Sequence, residues 1–479
     1  MRRCIRIDAV GAPIEMLGNR RGVSPVQAER CSVALDENVR TRLMYSAEAK
    51  GHLDISDLAA RFGSTKPAAA AIHVALMLTV LSLLLPIAAR PTQAQTETTL
   101  YRFHKDGLDG KEPQSRLTSD GKGNLYGTTT YGGAFGSGTV FELSPNGGYG
   151  HRLWKETVLY SFTGGEDGRW PLYSAVVFDS LGNLYGTTNE GGAFGQGTVF
   201  ELSPVGTSWT ETVVHSFSSA TDSFYPDNGL IIDPAGNLFG TTNFGGADFD
   251  GGTVFELSPS GGGWTWQVIY SVDHADHGGI MAGLTMDAAG NIFGVGNMSV
   301  FELSPDGNGG WNPTVIYTFK VFRYPGIYQF GESTPALDNT GNLYVPIAEA
   351  TNGGSKDCCG VVYKLSPGVN GIWTAKPIYF FKGANGGGDG SGLTAGVVVD
   401  AAGNIYGTTF GGGVYREGTV FELVPRVDGV SYKEKILYSF HGEYGSSPYG
   451  SLILDSAGNL YGTTALGGNE TGAVFELTP

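Results

Sequence analysis

The residues best suited to chemistry in this chain stand in a few short clusters. Asp273-His-Ala-Asp-His277 places two carboxylates and two imidazoles, those of Asp273, His274, Asp276 and His277, in one five-residue stretch. Carboxylate oxygens and imidazole nitrogens are ordinary ligands of a divalent metal. The same composition also describes a polar surface loop, which is the simpler reading. A lactonase-like metal centre needs several carboxylates or amides drawn together, and only Asn228, with Asp227 and Glu332, could contribute to one. Trp170, Phe224, Tyr225, Tyr328 and Tyr444 supply rings in the same kind of segment. Rings among acids and amides suit a carbohydrate, and ordinary ring packing explains them as well. The ligand-face candidates are therefore Trp170, Tyr225, Asp227, Asn228, Asp273, His274, Asp276, His277 and Glu332. No GxSxG, HExxH or sialidase-type Asp-box is present. No catalytic, metal or cofactor-binding residue is assigned, and a divalent cation is compatible with the acids without being indicated by them.

Cysteine chemistry is equally sparse. Outside the first 94 residues only the adjacent Cys358 and Cys359 occur. They suit a vicinal disulfide or two loop thiols, not a disulfide framework or a metal motif.

The elements that must position these groups come from a repeat. DGKGNLYGTTTYGGAFGSGTVFELSP at 120–145 returns as DSLGNLYGTTNEGGAFGQGTVFELSP at 179–204. The frame Asp-x-x-Gly-Asn recurs seven times, beginning at Asp120, Asp179, Asp233, Asp287, Asp338, Asp400 and Asp455, 51 to 62 residues apart. Each unit reads as four short strands. The first is apolar, as in Leu230-Ile231-Ile232, and the second is GNLYGTT, rich in strand-forming residues. The third, TVFELSP, is stopped by proline, and the fourth is ETVLYSF at 156–162 or its relatives. Asp-x-x-Gly-Asn suits the tight turn between the first two strands. Seven aspartates at equivalent turns could form a ring of carboxylates, but capping of the local backbone is the reading that every unit shares. Glycine, 76 of 479 residues, is more than twice the usual share of about 7%, and the hairpins account for it. Segments such as Tyr131–Gly138 resemble phosphate cradles only superficially, since no helix N-terminus follows.

Seven four-stranded units predict an all-β, seven-bladed β-propeller with antiparallel blades. The last repeat ends at Phe475-Glu-Leu-Thr-Pro479 without its fourth strand, and Glu97–Phe103 supplies one at the other end. An N-terminal strand completing the last blade would close the ring and remove an exposed edge. Tryptophans 154, 209, 264, 311 and 373, with Tyr432 in the sixth unit, recur at one position and are expected to pack between blades. The residues five before each turn aspartate, Ser115, Ser174, Asn228, Ala282, Ser333, Ala395 and Gly450, are expected to line the channel entrance. They are small and mostly neutral, which weighs against a central metal.

The first 94 residues are different material. Residues 1–66 read as a basic leader, disordered or preceding the true start, with Met44 an alternative first residue. Residues 67–94 read as a signal peptide, with an apolar run at 68–89 and a small-residue exit at Ala94. The alternative is an uncleaved membrane anchor over 68–89. The propeller then spans 95–479, and a secreted or periplasmic location follows. The net charge is −16 overall, and the leader, with 12 basic and 8 acidic residues, leaves about −20 on the remainder. That balance argues against nucleic acid and anionic membrane as partners.

GNLYGTT, the double glycine and GTVFELSP together resemble the GloVer tandem repeat of exported bacterial proteins, described as a choice-of-anchor family, over residues 97–479. The double glycine and tryptophan placement is also similar to kelch propellers. The resemblance implies export and no particular reaction. The expectation is a monomeric, non-catalytic binding module for extracellular polysaccharide or protein. The alternative is a propeller hydrolase or lyase acting on a sugar or lactone at the loop face.

Overall fold

The computed structural model describes residues 96–478 apart from 106–107, 147–153, 220–222, 247–250, 273–281, 297–298, 320–332, 349–358, 384–387, 429–430, 444 and 468–469. All described residues belong to the compact unit Gln93–Pro479. The expected leader and signal segments, 1–66 and 67–94, lie outside them. Among the described residues no helix is long and apolar enough to cross a membrane.

Seven antiparallel four-stranded sheets follow one another along this unit. Blade 1 consists of Thr118–Ser119, Leu125–Thr129, Thr139–Pro145 and Trp154–Ser161, paired in that order. Blades 2 to 7 follow the remaining turn aspartates. The innermost strands are shorter than their apolar runs suggest, since only Ile231–Ile232 of Leu230–Ile232 is strand. The seventh sheet takes Ile453–Leu454, Leu460–Thr464 and Ala473–Thr478 from the C-terminal end and Thr96–Arg102 from the N-terminal end. Thr99 pairs with Phe475 and Tyr101 with Val474, with a bulge between. The Thr463 hydroxyl donates to the Ser115 carbonyl at 3.0 Å, joining blade 7 to blade 1.

The core forms between blades, each buried cluster joining strands of one blade to those of the next. The glycine of Tyr-Gly-Thr-Thr stands opposite the phenylalanine of Thr-Val-Phe, as Gly127 opposite Phe141 and Gly186 opposite Phe200. A Cβ on the six such glycines would come 2.2–2.7 Å from the phenylalanine Cζ, so the ring lies across the bare backbone. The phenylalanines are completely or almost completely buried. Blade 5 alone replaces the pair, with Val345 opposite Tyr363.

The Asp-x-x-Gly-Asn turns are closed by their own carboxylates. In all seven, Oδ1 accepts from the backbone N–H groups two and four residues on, and Oδ2 accepts from the asparagine amide, at 2.7–3.1 Å. These are charge-assisted bonds, and they occupy the carboxylates as caps. The tryptophans pack between blades: Trp264 meets Tyr185, Trp311 meets Phe239 and Trp373 meets Phe293, each edge to face with the preceding blade. Trp311 Nε1 also donates to Glu256 of that blade at 3.0 Å.

Leu100 and Phe103 are buried where the terminal strand meets blades 7 and 1. Deleting residues 96–103 is expected to lower the denaturation midpoint sharply, and Phe103→Ala alone to cost about 3–5 kcal/mol. Guanidinium unfolding of both variants checks this, and unchanged midpoints would show that the ring does not depend on its N-terminal strand.

Candidate functional site

Loops from the fourth strand of one blade to the first of the next lie on the same face as the hairpins joining second and third strands. The channel mouth is built there. A strand alternates its side chains with a period of two, which decides which residues line it. The residues five before each turn aspartate prove to be buried inside the blades: Ser115, Ser174, Asn228, Ala282, Ser333 and Ala395 are all at most 1% exposed. This corrects the expectation that they line the entrance. Their work is structural, as where the Ser174 hydroxyl accepts from Thr187 N at 2.8 Å and its carbonyl from the Thr128 hydroxyl at 3.0 Å.

One residue earlier stand Gln114, Tyr173, Asp227, Thr394 and Tyr449. Tyr173 of blade 2 and Tyr449 of blade 7 have ring centroids 6.1 Å apart although blade 1 separates their sheets, so they meet over the mouth. Phe410 of blade 6, 39% exposed, packs 4.9 Å from Tyr449. These three rings form an aromatic side. A polar side lies on blades 2 and 3. There the Asp227 carboxylate accepts from the amide of Asn189, and from that of Asn243 at 3.0 Å. Burial pushes the Asp227 carboxyl up to about 7, and the two amide bonds offset only part of that.

Trp170 and Tyr225 occupy the loops leading into blades 2 and 3, both with left-handed φ (56° and 57°) and both followed by proline. Glu112 and Ser447 take the same conformation before Pro113 and Pro448. Bulky residues adopt it at a cost in strain. Here it is imposed from both sides: Trp170 N donates to Ser137 O of blade 1 and its carbonyl accepts from Asn189 N. Tyr225 does the same with Gln196 and Asn243. Arg169 pairs with Glu190 and lies 4.5 Å over the Trp170 ring, which fixes the indole beside the mouth. Phe224, in contrast, is buried and stacks on Phe244, so it serves packing. Asp273, His274, Asp276, His277, Glu332, Tyr328 and Tyr444 lie outside the described residues. Among the described residues no group of three or more His, Cys, Asp or Glu side chains could hold a metal ion. Cys359 is disulfide-bonded, and its partner also lies outside them.

Residues 89–300 and 329–479 match the family model described as the Gloeobacter/Verrucomicrobia repeat. The chain belongs to this family. Among curated proteins no sequence matches it. Solved structures similar to this Gloeobacter/Verrucomicrobia repeat protein include virginiamycin B lyase from Staphylococcus aureus, at 11% identity and TM-score 0.48, covering 80% of this chain and 99% of that one. A gluconolactonase from Xanthomonas campestris is 13% identical, with TM-score 0.39, covering 82% and 92%. The extracellular domain of a hybrid two-component system from B. thetaiotaomicron is 16% identical, with TM-score 0.46, covering 80% and 41%.

Two features of the repeat protein escape a reading of its sequence. The outer-strand tyrosines of blades 7, 1 and 5 donate to loop aspartates, Tyr101 to Asp109, Tyr160 to Asp167 and Tyr379 to Asp389, at 2.9–3.0 Å. An Asp-Gly pair shortly after the Leu-Tyr-Ser-Phe segment or its relative is the signal that could have found them. Exposed rings also stand at hairpin tips: Phe135, Phe194 and Tyr415 are 62%, 62% and 58% exposed, on blades 1, 2 and 6.

Asp227 gives the site a pH signature. Its carboxyl is raised from an unfolded value near 4 to about 7, so the folded chain holds a proton that unfolding releases. Its contribution to stability is full below about pH 4 and is lost as pH rises through 7. Asp227→Asn is therefore expected to flatten the fall in melting temperature between pH 5 and pH 8. Identical slopes for wild type and variant would show that the carboxyl ionises normally.

Proposed function

We propose that this propeller is an exported binding module whose channel mouth takes a saccharide, with no chemistry performed on it. The observation that supports this most directly is the division of the mouth. Rings of Tyr173, Tyr449 and Phe410 offer apolar faces on one side. Asp227, held by Asn189 and Asn243, offers hydrogen-bonding groups on the other. A sugar presents a C–H face and a hydroxyl edge, and such a mouth meets both. The strained setting of Trp170 and Tyr225 beside it agrees with a recognition role. The charge of about −20 on residues 95–479 favours neutral glycans over polyanions, nucleic acid included. A protein ligand on the same face is the other binding partner to test. Export follows from the signal-like segment ahead of the propeller, and a monomer is the working state.

One observation favours a hydrolase or lyase instead: a carboxyl near 7 at the mouth is poised for general acid or base work. Glycan-array screening followed by calorimetry separates the two. Binding without turnover, weakened about 10-fold or more by Tyr449→Ala at unchanged melting temperature, is the expected result. Turnover of a sugar or lactone that Asp227→Asn abolishes would replace the binding reading with the catalytic one.

A further inference from the structure

Blade 2 enters the mouth with one residue more than its neighbours. The loops leading into blades 1, 3, 6 and 7 each carry a left-handed residue eight positions before the turn aspartate, as Glu112 before Asp120 and Ser447 before Asp455. In blade 2 the interval is nine, from Trp170 to Asp179. Hydrogen bonds fix the equivalence. Trp170 N donates to Ser137 O and its carbonyl accepts from Asn189 N, as Ser447 does with Glu417 and Ala465. The extra residue therefore falls in the segment Pro171-Leu172-Tyr173-Ser174. Leu172 N donates to Trp170 O at 2.7 Å and Ala175 N to Tyr173 O at 3.1 Å, two three-residue turns in close succession. The Thr128 hydroxyl lies 3.2 Å from Pro171 O and 3.0 Å from Ser174 O, so blade 1 grips the segment at both ends.

This arrangement costs stability. Tyr173 takes a left-handed φ of 51°, which Gln114, Asp227, Thr394 and Tyr449 at the same position do not. A tyrosine in that conformation is strained. The Tyr173 and Tyr449 rings meet across blade 1. In that blade the mouth-level atoms Gln114 Oε1 and Thr130 Oγ1 are buried without a hydrogen-bond partner among the described residues. Buried polar atoms left unpaired are a second cost. Against both stands a loose ring contact, with centroids 6.1 Å apart and planes 50° from parallel, and Tyr173 itself stays partly exposed. Strain kept without matching burial marks a residue held for recognition rather than for the fold.

We propose that Tyr173 is a specificity-determining residue of the mouth, carried by the extra residue of blade 2 across the polar groups of blade 1. There it joins Tyr449 and Phe410 into one apolar wall running from blade 6 to blade 2. The wall receives the C–H face of a neutral pyranose, and the hydrogen bonds to its hydroxyl edge come from blades 2 and 3. The choice of ligand rests on the saccharide reading above. The strained placement of Tyr173 does not.

Two variants of the purified full chain test this, each by melting temperature and by calorimetry with cellohexaose, mannohexaose and chitohexaose. Tyr173→Gly removes the ring, lets water reach blade 1 and takes the left-handed φ without strain. Deletion of Leu172 gives blade 2 the eight-residue interval of its neighbours. Both are expected to melt no more than about 2 °C below wild type, and to bind the hexasaccharide that wild type prefers about 10-fold more weakly. A larger fall in the melting temperature of Tyr173→Gly would show that the tyrosine supports the fold, and would overturn the proposal whether or not any glycan binds. Unchanged affinity in both variants, with binding weakened in Tyr449→Ala, overturns the role of Tyr173 and leaves the saccharide reading standing. Binding of none of the three by wild type overturns the saccharide reading, while the melting temperatures still decide whether Tyr173 is held against the interest of the fold.

Discussion

A phenylalanine ring lying across a glycine of the neighbouring strand sets the geometry of six of the seven blades. The approach leaves no room for a Cβ, so the two residues form one unit although they come from different halves of the repeat. Each ring then contributes to a core shared with the preceding blade, while the aromatic residue beside that glycine, on the other face of the sheet, receives the outer-strand tryptophan of the next blade. Burial therefore couples the blades in series. A coupled series with an open end would leave one apolar face and one strand edge in water. The terminal strand Thr96–Arg102 covers both.

Around the mouth the same coupling is made by hydrogen bonds. Thr128, Thr187, Thr241 and Thr463 each donate to a carbonyl at the entrance of the following innermost strand. The scaffold thus takes up the polar groups that recur from unit to unit: turn aspartates cap turns, and repeat threonines tie blades. The mouth itself is built where the units disagree. Position 227 carries Asp while its equivalents in blades 1, 2, 6 and 7 carry Gln114, Tyr173, Thr394 and Tyr449. One repeated scaffold therefore presents an asymmetric mouth.

The architecture was legible in the sequence because its signals are local and repeated. Seven Asp-x-x-Gly-Asn turns, glycine-bearing second strands and proline-stopped third strands define the blades without any long-range information. The inter-blade role of the tryptophans was readable for the same reason. The mouth was less legible. Ser115 and its equivalents were expected to line it, but a shift of one residue on an innermost strand exchanges its buried and channel-facing sets, and two paired residues leave too little alternation to show which is which. The left-handed backbone of Trp170 and Tyr225 has no local signal beyond the following proline, because partners from two different blades impose it. The tyrosine–aspartate clasps went unnoticed because the spacing between partners varies, at 7, 8 and 10 residues.

Blade 5 departs from its neighbours in concert. Where the others place glycine opposite phenylalanine, it has Val345 opposite Tyr363. Where a glutamate would meet the next tryptophan, it has Lys364, lying 5.4 Å over the Tyr344 ring, and the following blade answers with Tyr432, 3.4 Å from the Tyr344 hydroxyl. The seam between these two units is thus keyed differently from the rest. Unit 5 meets unit 4 through the usual Trp373–Phe293 contact but meets unit 6 through the Tyr344–Tyr432 pair, so duplication or shuffling of single units would break the wheel at that seam first, and the pair must travel together.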